Sequence, residues 1–543
     1  MKRYYKSFIT LGLFSLALAN VGCMEETEPT TVATQDQAMR STTATKAQAM
    51  AIPAVMNAMD DDYVDNYSWH GAFAYPAMMI IRNMWDGDSG FPTSNYAAHF
   101  YRFGADQYQD GRYIYVAYVW SFYYGLIQSA NAIIEAVDPE NAAKEQLGYL
   151  GAAHAYRALA YLDLAQMYEF LPNDKTSSIN ADGNDVTGLT VPIVKEGMTE
   201  DEARHNPRAK HDDMVAFIKS DLAKAQQFIP NITDRINRTM PDLACVYGLE
   251  ARLNMWIGDY PAAATAAQNA INSTSMMPLS EAAALDKSNG MNTASSFLWC
   301  VNLVKESDAV QSGIVNWTSW MSNQTTFGYT GSATGQYMIC DKNLYDRISS
   351  TDWRKKWWQA PEDSPLRNKI EYLSSEDKDE MPAYASLKFR PGNGNTEDYN
   401  VGSATAIPLM RVEEFYFILA EAQAHANPSQ GIQTLKDFMT QYRDPNYTSL
   451  ASTEANAVEE IIFQKRVEFW GEGLYFFDLK RLNYSVTRGY PGTPFFDLMQ
   501  LNTNGRPAWT NVMISVSEYQ DNQSVNHWNN PDPTGKYTPW AGE

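Results

Sequence analysis

One stretch constrains the fold more than any other. Between Pro241 and Ile271, the residues Cys245, Leu249, Leu253 and Trp256 recur at i, i+4, i+8 and i+11, which is one face of an α-helix. Gly258-Asp259-Tyr260 then turns the chain, and Pro261 opens a second, alanine-rich helix that runs to Ile271. The small alanines let two antiparallel helices approach closely, and a large ring such as Trp256 fills the space left between them. A single pair of this kind cannot bury its own apolar face, so several pairs must stack.

The same periodicity recurs on both sides. Arg112–Val137 is apolar all round (Tyr115, Val119, Phe122, Ile127, Ile133). Ala142–Phe170 is alanine-rich, with rings at Tyr149, Tyr156 and Tyr161. His211–Ile229 places Met214, Phe217, Ile218, Leu222 and Ala225 on one stripe, closed by Pro230 and Asn231. A second block starts near Ile407, with a stripe of Val412, Phe415, Tyr416 and Leu419 and a partner helix over Gln433–Arg443. Ala457–Trp470 and Leu474–Leu482 make a further pair around Gly471 and Gly473. The expected architecture is predominantly all-α. About four helix pairs form a tetratricopeptide-like scaffold, decorated by an irregular, loop-rich ligand-binding region with few short strands.

Composition divides the chain further. Residues 47–272 form an N-terminal helical block with the first binding loops. Residues 273–404 form a loop-rich insertion, 405–488 the C-terminal helical pairs, and 489–543 an irregular tail. The insertion sets aromatics among turn formers, as in Asn316-Trp317-Thr318-Ser319-Trp320, Gly328-Tyr329-Thr330-Gly331 and Gly335-Gln336-Tyr337. Loops on a rigid scaffold commonly carry binding, so residues 273–404 are the candidate ligand-binding region.

The N-terminus is a separate matter. Lys2, Arg3 and Lys6 precede an apolar run from Phe8 to Ala19, which fits a signal-peptide core of roughly 7–15 residues and is too short to span a bilayer. The run ends in Ala19-Asn20-Val21-Gly22-Cys23, which resembles the bacterial lipobox. The expectation is a signal peptide over residues 1–22, lipid attachment at Cys23, and a flexible acidic tether over 23–46. That stretch has too few large apolar residues to fold alone. The whole chain carries a net charge of −22, and removal of the cationic leader leaves about −25. Such a charge disfavours nucleic acid and anionic lipid surfaces, so the lipid itself must hold the protein to a membrane. Of the four cysteines, three remain besides Cys23, widely spaced and without a CxxC pair. Neither a disulfide framework nor a zinc site is expected.

Catalytic patterns are scarce. Asp86-Gly87-Asp88-Ser89-Gly90 contains the sequence found around the nucleophile of trypsin-like proteases. That chemistry needs a histidine base on a β-barrel and a buried aspartate, and only His70 precedes it in the mature chain, amid helical patterns. There is no HExxH, Walker loop or nucleophile elbow. Asp60-Asp61-Asp62 and Asn180–Asp185 lack the spacing and closing glutamate of a calcium loop and read as solvated acidic loops. No cofactor, metal or catalytic residue is expected.

Three helical segments, in order, resemble the SusD/RagB family of outer-membrane nutrient-binding lipoproteins. Pro408–Ala422, with Arg411, Glu414 and Glu421, is similar to the family's RxxExxLxxAEA helix. Its charges read as a buried ion-pair ladder between helices rather than as catalysts. Ile461–Leu482 is similar to the family's ERRxELxxEGxRxxDLxRW segment, but Gln464 and Lys465 stand where Glu and Arg are usual, and Tyr475 and Leu482 replace Arg and Trp. Leu243–Ile271 resembles the family's mid-chain repeat.

The resemblance implies a non-enzymatic protein that captures oligosaccharides, or in some branches peptides, and delivers them to a SusC-like TonB-dependent transporter. Glu25, Glu26 and Glu28 resemble the signal for export to the outer leaflet, so the anchored protein is expected to face the cell exterior. Sugars present flat apolar faces to aromatic rings and hydroxyls to polar edges. The candidate ligand-binding residues on that basis are Trp69, Trp85, Asn95, Tyr96, Asn316, Trp317, Trp320, Tyr329 and Tyr337. Three rivals stay open. One is a peptide-binding member of the same family, and another is a surface glycoside hydrolase with two carboxylates in a cleft. The third is a purely structural tetratricopeptide adaptor.

Overall fold

Ser41 caps the first helix of the computed structural model, α1 (Thr42–Val55), its hydroxyl accepting from the Ala44 N–H at 3.4 Å. The structure describes residues 41–67, 69–94, 106–367, 373 and 379–542, so Cys23 and most of the expected tether lie outside the described residues. α1 begins inside the stretch expected as tether. The reason is tertiary: the Thr45 hydroxyl is buried and accepts from Gln146 Nε2 at 2.9 Å, while Ala49 and Ile52 enter the core.

The N-terminal block continues with α2 (Ala74–Trp85), α3 (Ile114–Ala136), α4 (Lys144–Tyr168) and α5 (His211–Phe228). α4 runs through the middle and is buried from Gly148 to Tyr168. It crosses the chain after α5 so closely that a Cβ on Gly151 would lie 2.4 Å from the Ile229 nitrogen. Two charged groups on α4 are fully buried and paired. Arg82 of α2 donates to Asp163 at 2.8 Å, and Tyr75 and Tyr123 add bonds of 2.9 and 2.8 Å to the same carboxylate. Arg157 grips Asp221 of α5 through two nitrogens at 2.8 and 2.7 Å.

The helix pair read from the sequence is present as α6 (Leu243–Trp256) and α7 (Tyr260–Asn272), capped by Asp242 and Asp259. The insertion contributes only short strands. Ser89–Gly90 (β1) pairs antiparallel with Ile339–Cys340, and Trp299–Asn302 (β2) pairs antiparallel with Ala406–Met410; the partners are β3 and β4 in chain order. The second helical block therefore starts later than Ile407. Residues 406–410 extend to meet β2, and α8 begins at Val412 (Val412–Ala426). α9 (Pro428–Tyr442), α10 (Glu454–Glu468) and α11 (Tyr475–Arg481) complete it.

The charges of α8 and α10 form the ladder expected from their sequence. Glu468 of α10 accepts from Arg411 at 2.9 Å, from Arg443 at 2.7 Å and from Arg354 at 3.1 Å, all fully buried. Arg411 also donates to Glu472, which receives Lys388 at 2.7 Å. Arg252 of α6 pairs with Glu414 at 2.6 Å, and Glu421 joins Lys465 and Arg481. Where Gln464 departs from the family pattern, its side-chain carbonyl still accepts from Arg354.

Residues 489–542 hold only short helical turns, but they are structural. With Lys480 of α11, which donates to the carbonyls of Met167 (3.0 Å) and Glu169 (2.7 Å), the tail caps the end of α4: the Val512 N–H donates to Met167 O at 3.1 Å and Asn530 to Tyr168 O at 2.8 Å.

His425 closes α8 onto two neighbours. It stacks on Tyr260 of α7 (centroids 3.6 Å apart, 8° between planes) and bonds Glu454 of α10 at 2.9 Å. Burial opposes its charged form, but the Glu421 carboxylate 3.9 Å from its Nε2 and the hydrogen-bonded Glu454 carboxylate outweigh this and raise its pKa. A raised folded pKa adds stability at acidic pH, below the ordinary histidine value, and that stability is lost as pH rises through the folded pKa. His425→Gln is expected to cost a few tenths to about 1 kcal/mol at pH 5.5, shrinking towards zero by pH 9, in urea titrations at the two pH values. A cost that grew with pH would show the sign to be wrong.

Candidate functional site

The insertion folds against the loop after the Asp61–Tyr67 helix, and this brings several of the expected residues together. Tyr329 stacks on Trp320 with centroids 4.1 Å apart and 10° between planes. Its hydroxyl bonds Nδ1 of His70, which is half-buried beside Trp69. Gln336 ties the other edge, its amide nitrogen donating to Thr93 O at 2.9 Å and its carbonyl accepting from the Thr93 hydroxyl at 2.8 Å.

Gly328 makes this packing possible. It adopts φ +95°, and a Cβ there would meet the Ser319 Cβ at 2.5 Å. The turn sends Tyr329 inward and leaves the preceding Phe327 partly exposed. Thr326 anchors that loop to the next one, its N–H donating to Thr396 O at 2.8 Å. Phe327 is thereby set edge-on to Tyr399, 6.5 Å away at 75°, and Tyr399 is 37% exposed. Thr93, Ser94, Thr326 and Ser332 expose hydroxyls on these loops, and the Glu397 and Asp398 carboxylates are exposed immediately before Tyr399.

Several expectations need correction. Trp85 is core of the helical block, packed on Tyr115 and Phe476 and 1% exposed. Trp317 is fully buried against Phe389. Asn316 is spent on its own loop, accepting from Ser319 N–H at 3.0 Å as a helix cap. These three are not available as binding groups. Trp69, Trp320, Tyr329 and Tyr337 are gathered on the loop side but buried, because the insertion closes over its own rings. They form a floor rather than an exposed stacking surface. Asn95 and Tyr96 lie outside the described residues. Sequence reasoning passed over His70, Phe327 and Tyr399. Phe327 stood one residue before a glycine-tyrosine turn already singled out, and alternation across that turn was the usable signal.

The protease-like stretch is also accounted for. Ser89 is fully buried, donating to Asn83 O at 2.8 Å and accepting from Asn83 Nδ2 at 2.6 Å, and Asp88 is bound by Arg466. No hydroxyl is presented to a substrate there.

Comparison with known proteins fits both halves of this architecture. Residues 318–539 match the model of the SusD family, and residues 80–255 match a model described as starch-binding associating with outer membrane. The chain belongs to the SusD-like family. Solved structures agree in fold. A SusD-like carbohydrate binding protein from Bacteroides vulgatus superposes with a TM-score of 0.68 at 20% identity, over 89% of this chain and 97% of that one. A SusD superfamily protein from Bacteroides thetaiotaomicron gives 0.64 at 18% identity, over 90% and 100%. One from Bacteroides fragilis gives 0.61 at 17%, over 90% and 99%. The comparison with curated proteins found no match. No described helix of this SusD-like chain is long and apolar enough to cross a membrane.

Proposed function

We propose that this protein is a lipid-anchored, outward-facing lipoprotein of the outer membrane that captures neutral oligosaccharides without cleaving them. Cys23 carries the lipid, and a SusC-like TonB-dependent transporter receives the ligand. The reading is carried by family membership across both halves of the chain, one half matching a starch-binding, outer-membrane-associated model. The loop face supports it chemically. The partly exposed Phe327–Tyr399 pair offers apolar ring faces, and His70, the loop hydroxyls and the Glu397 and Asp398 carboxylates offer donors and acceptors. A neutral polyhydroxylated ligand matches rings bordered by such acceptors and donors, and an anionic one would be repelled by Glu397 and Asp398.

A glycan array of the full-length protein, in a detergent without a sugar headgroup, identifies the ligand. Phe327→Ala combined with Tyr399→Ala is expected to lower its affinity about tenfold, or ~1.4 kcal/mol, with an unchanged unfolding curve. Both rings are partly exposed, so the fold does not depend on them as it does on Trp317 or Trp320. Unchanged affinity in the double variant would remove the loop face as the site. Shortened glycans in the mass spectrum after incubation would replace capture with hydrolysis.

A further inference from the structure

On the side of the molecule formed by α10, a second concavity is built from segments far apart in sequence. Val458, Ile462 and Arg466 recur at i, i+4 and i+8 on one face of α10, with Phe463 beside them. With Tyr475 of α11 and Tyr484 they wall an outer chamber of about 530 Å³, rimmed by Arg347, His425, Glu454 and Glu459. An inner chamber of about 190 Å³ adjoins it and shares Arg347, Arg466, Tyr475 and Ser485 as walls. Asp86, Asp88 and Asp341 line the inner end. Both volumes together lie in the usual range for a small-molecule site, roughly 300–1,000 Å³.

The polar groups of the inner chamber are held in place but not used up. Arg466 donates to Asp88 at 2.8 Å while lying over the Tyr475 ring at 4.8 Å. Asp341 accepts from the Tyr490 hydroxyl at 2.7 Å and from Leu344 N–H at 3.1 Å. Asp86 accepts from Asp88 N–H at 2.9 Å. A carboxylate has about four acceptor positions, so each retains capacity for a ligand hydroxyl. Burial and the neighbouring Asp88 push the Asp86 carboxyl well up. Arg347 is exposed and stacked on Phe463 at 4.1 Å, its guanidinium edge turned to no described carboxylate.

We propose that this two-chamber groove is a second glycan site, the inner chamber taking the hydroxyls of one sugar ring and the outer chamber stacking the next on the half-buried Tyr484. Carboxylate acceptors and guanidinium donors line the inner wall together, and Arg466 and Arg347 offset much of the carboxylate charge. That arrangement suits a neutral polyhydroxylated ring better than a cation. The inference takes its ligand class from the glycan-capture reading but uses none of the loop-face residues.

Ser485 is exposed and lines both chambers, which allows a local test. Cys245, Cys300 and Cys340 are buried, so maleimide labelling of full-length Ser485→Cys protein, corrected for the parent protein, reports the groove. Maltohexaose, cellohexaose and mannohexaose are added in turn, with spermidine as a cation. At least one hexasaccharide is expected to slow labelling about threefold when present at twice its Kd. Protection is expected to persist in the Phe327→Ala, Tyr399→Ala background and to be lost in Arg347→Ala and in Asp341→Asn. Arg347 is exposed, so its removal leaves the fold intact even where Asp341→Asn does not. No protection by any hexasaccharide overturns the proposal, as does protection by spermidine alone that fades at high salt, or protection that survives Arg347→Ala. Protection that disappears with the loop-face rings would instead place the only glycan site on the loop face.

Discussion

Glu468→Ala is expected to lower the unfolding free energy by about 3–5 kcal/mol, the usual cost of stranding buried charge. Arg354, Arg411 and Arg443 all donate to this one carboxylate, and none of the three is reached by water. Removing it leaves Asp352, Glu413 and Glu472 to balance guanidiniums arranged around a different centre. Glu468→Gln keeps the shape but not the charge and should fall between wild type and alanine. The exposed pair Arg204–Glu200 is the contrast; Arg204→Ala should change stability by less than about 0.5 kcal/mol. Urea titration at neutral pH compares the three. The effect also has a pH signature. Burial alone would raise the Glu468 pKa, but the guanidiniums of Arg443, Arg411 and Arg354 more than reverse this and hold it well below the usual carboxylate range. A depressed folded pKa gives stability that is present above the unfolded value and lost as pH falls. The gap between wild type and Glu468→Ala should therefore narrow on acidification. A cost below about 1 kcal/mol at pH 7 would show that the arginines find other partners.

The second large effect reverses a familiar preference. Alanine is favoured over glycine in a helix interior by about 0.8–1.0 kcal/mol. Gly125 of α3 has open space where its Cβ would go, so Gly125→Ala should stabilise by about that amount. Gly151 of α4 lies against the backbone after α5. An added methyl would meet the Ile229 nitrogen at 2.4 Å, and Gly148 meets the Ile232 nitrogen at 2.7 Å. Backbone cannot rotate away as a flexible side chain can, so the helices must separate. Gly151→Ala should cost about 2–3 kcal/mol despite its better helix propensity, and valine more. Equal signs for Gly125→Ala and Gly151→Ala would rule out a tight crossing of α4 over Ile229.

The helical scaffold was legible because its signal is local. Periodic apolar stripes and Asp caps mark α6 and α7 within a residue or two, and Pro230 marks the end of α5. The ion-pair ladder was legible in part, since Arg411 and the glutamates of a helix rich in large apolar residues must find partners. Which partners they find depends on α6, α10 and α11, and spacing alone does not show it. β4 was missed because Ala406–Met410 is extended only by pairing with β2, more than a hundred residues earlier. The loop face was the least legible. Trp317, Trp320 and Tyr329 sit among Gly, Ser and Asn, a composition that reads as surface. Their burial comes from the insertion closing on itself through contacts such as Gly328 on Ser319. Exposure is decided there by which side of a turn a ring falls on, so Phe327 stays outside while Tyr329 does not.

The capping of α4 by Lys480 and the tail has a consequence in time. The carbonyls of Met167 and Glu169 are met by Lys480, 313 and 311 residues further along, and that of Met167 also by the Val512 N–H at 3.1 Å. A polypeptide that emerges amino end first presents these carbonyls long before their donors arrive. In the interval they stay hydrated, and the end of α4 frays. Contacts across so long a loop form late and slowly, because the entropy of closure is lost before any of them forms. The final sixty or so residues thus act as a latch on an early helix. Folding finishes only when the last segment is free of whatever delivers it.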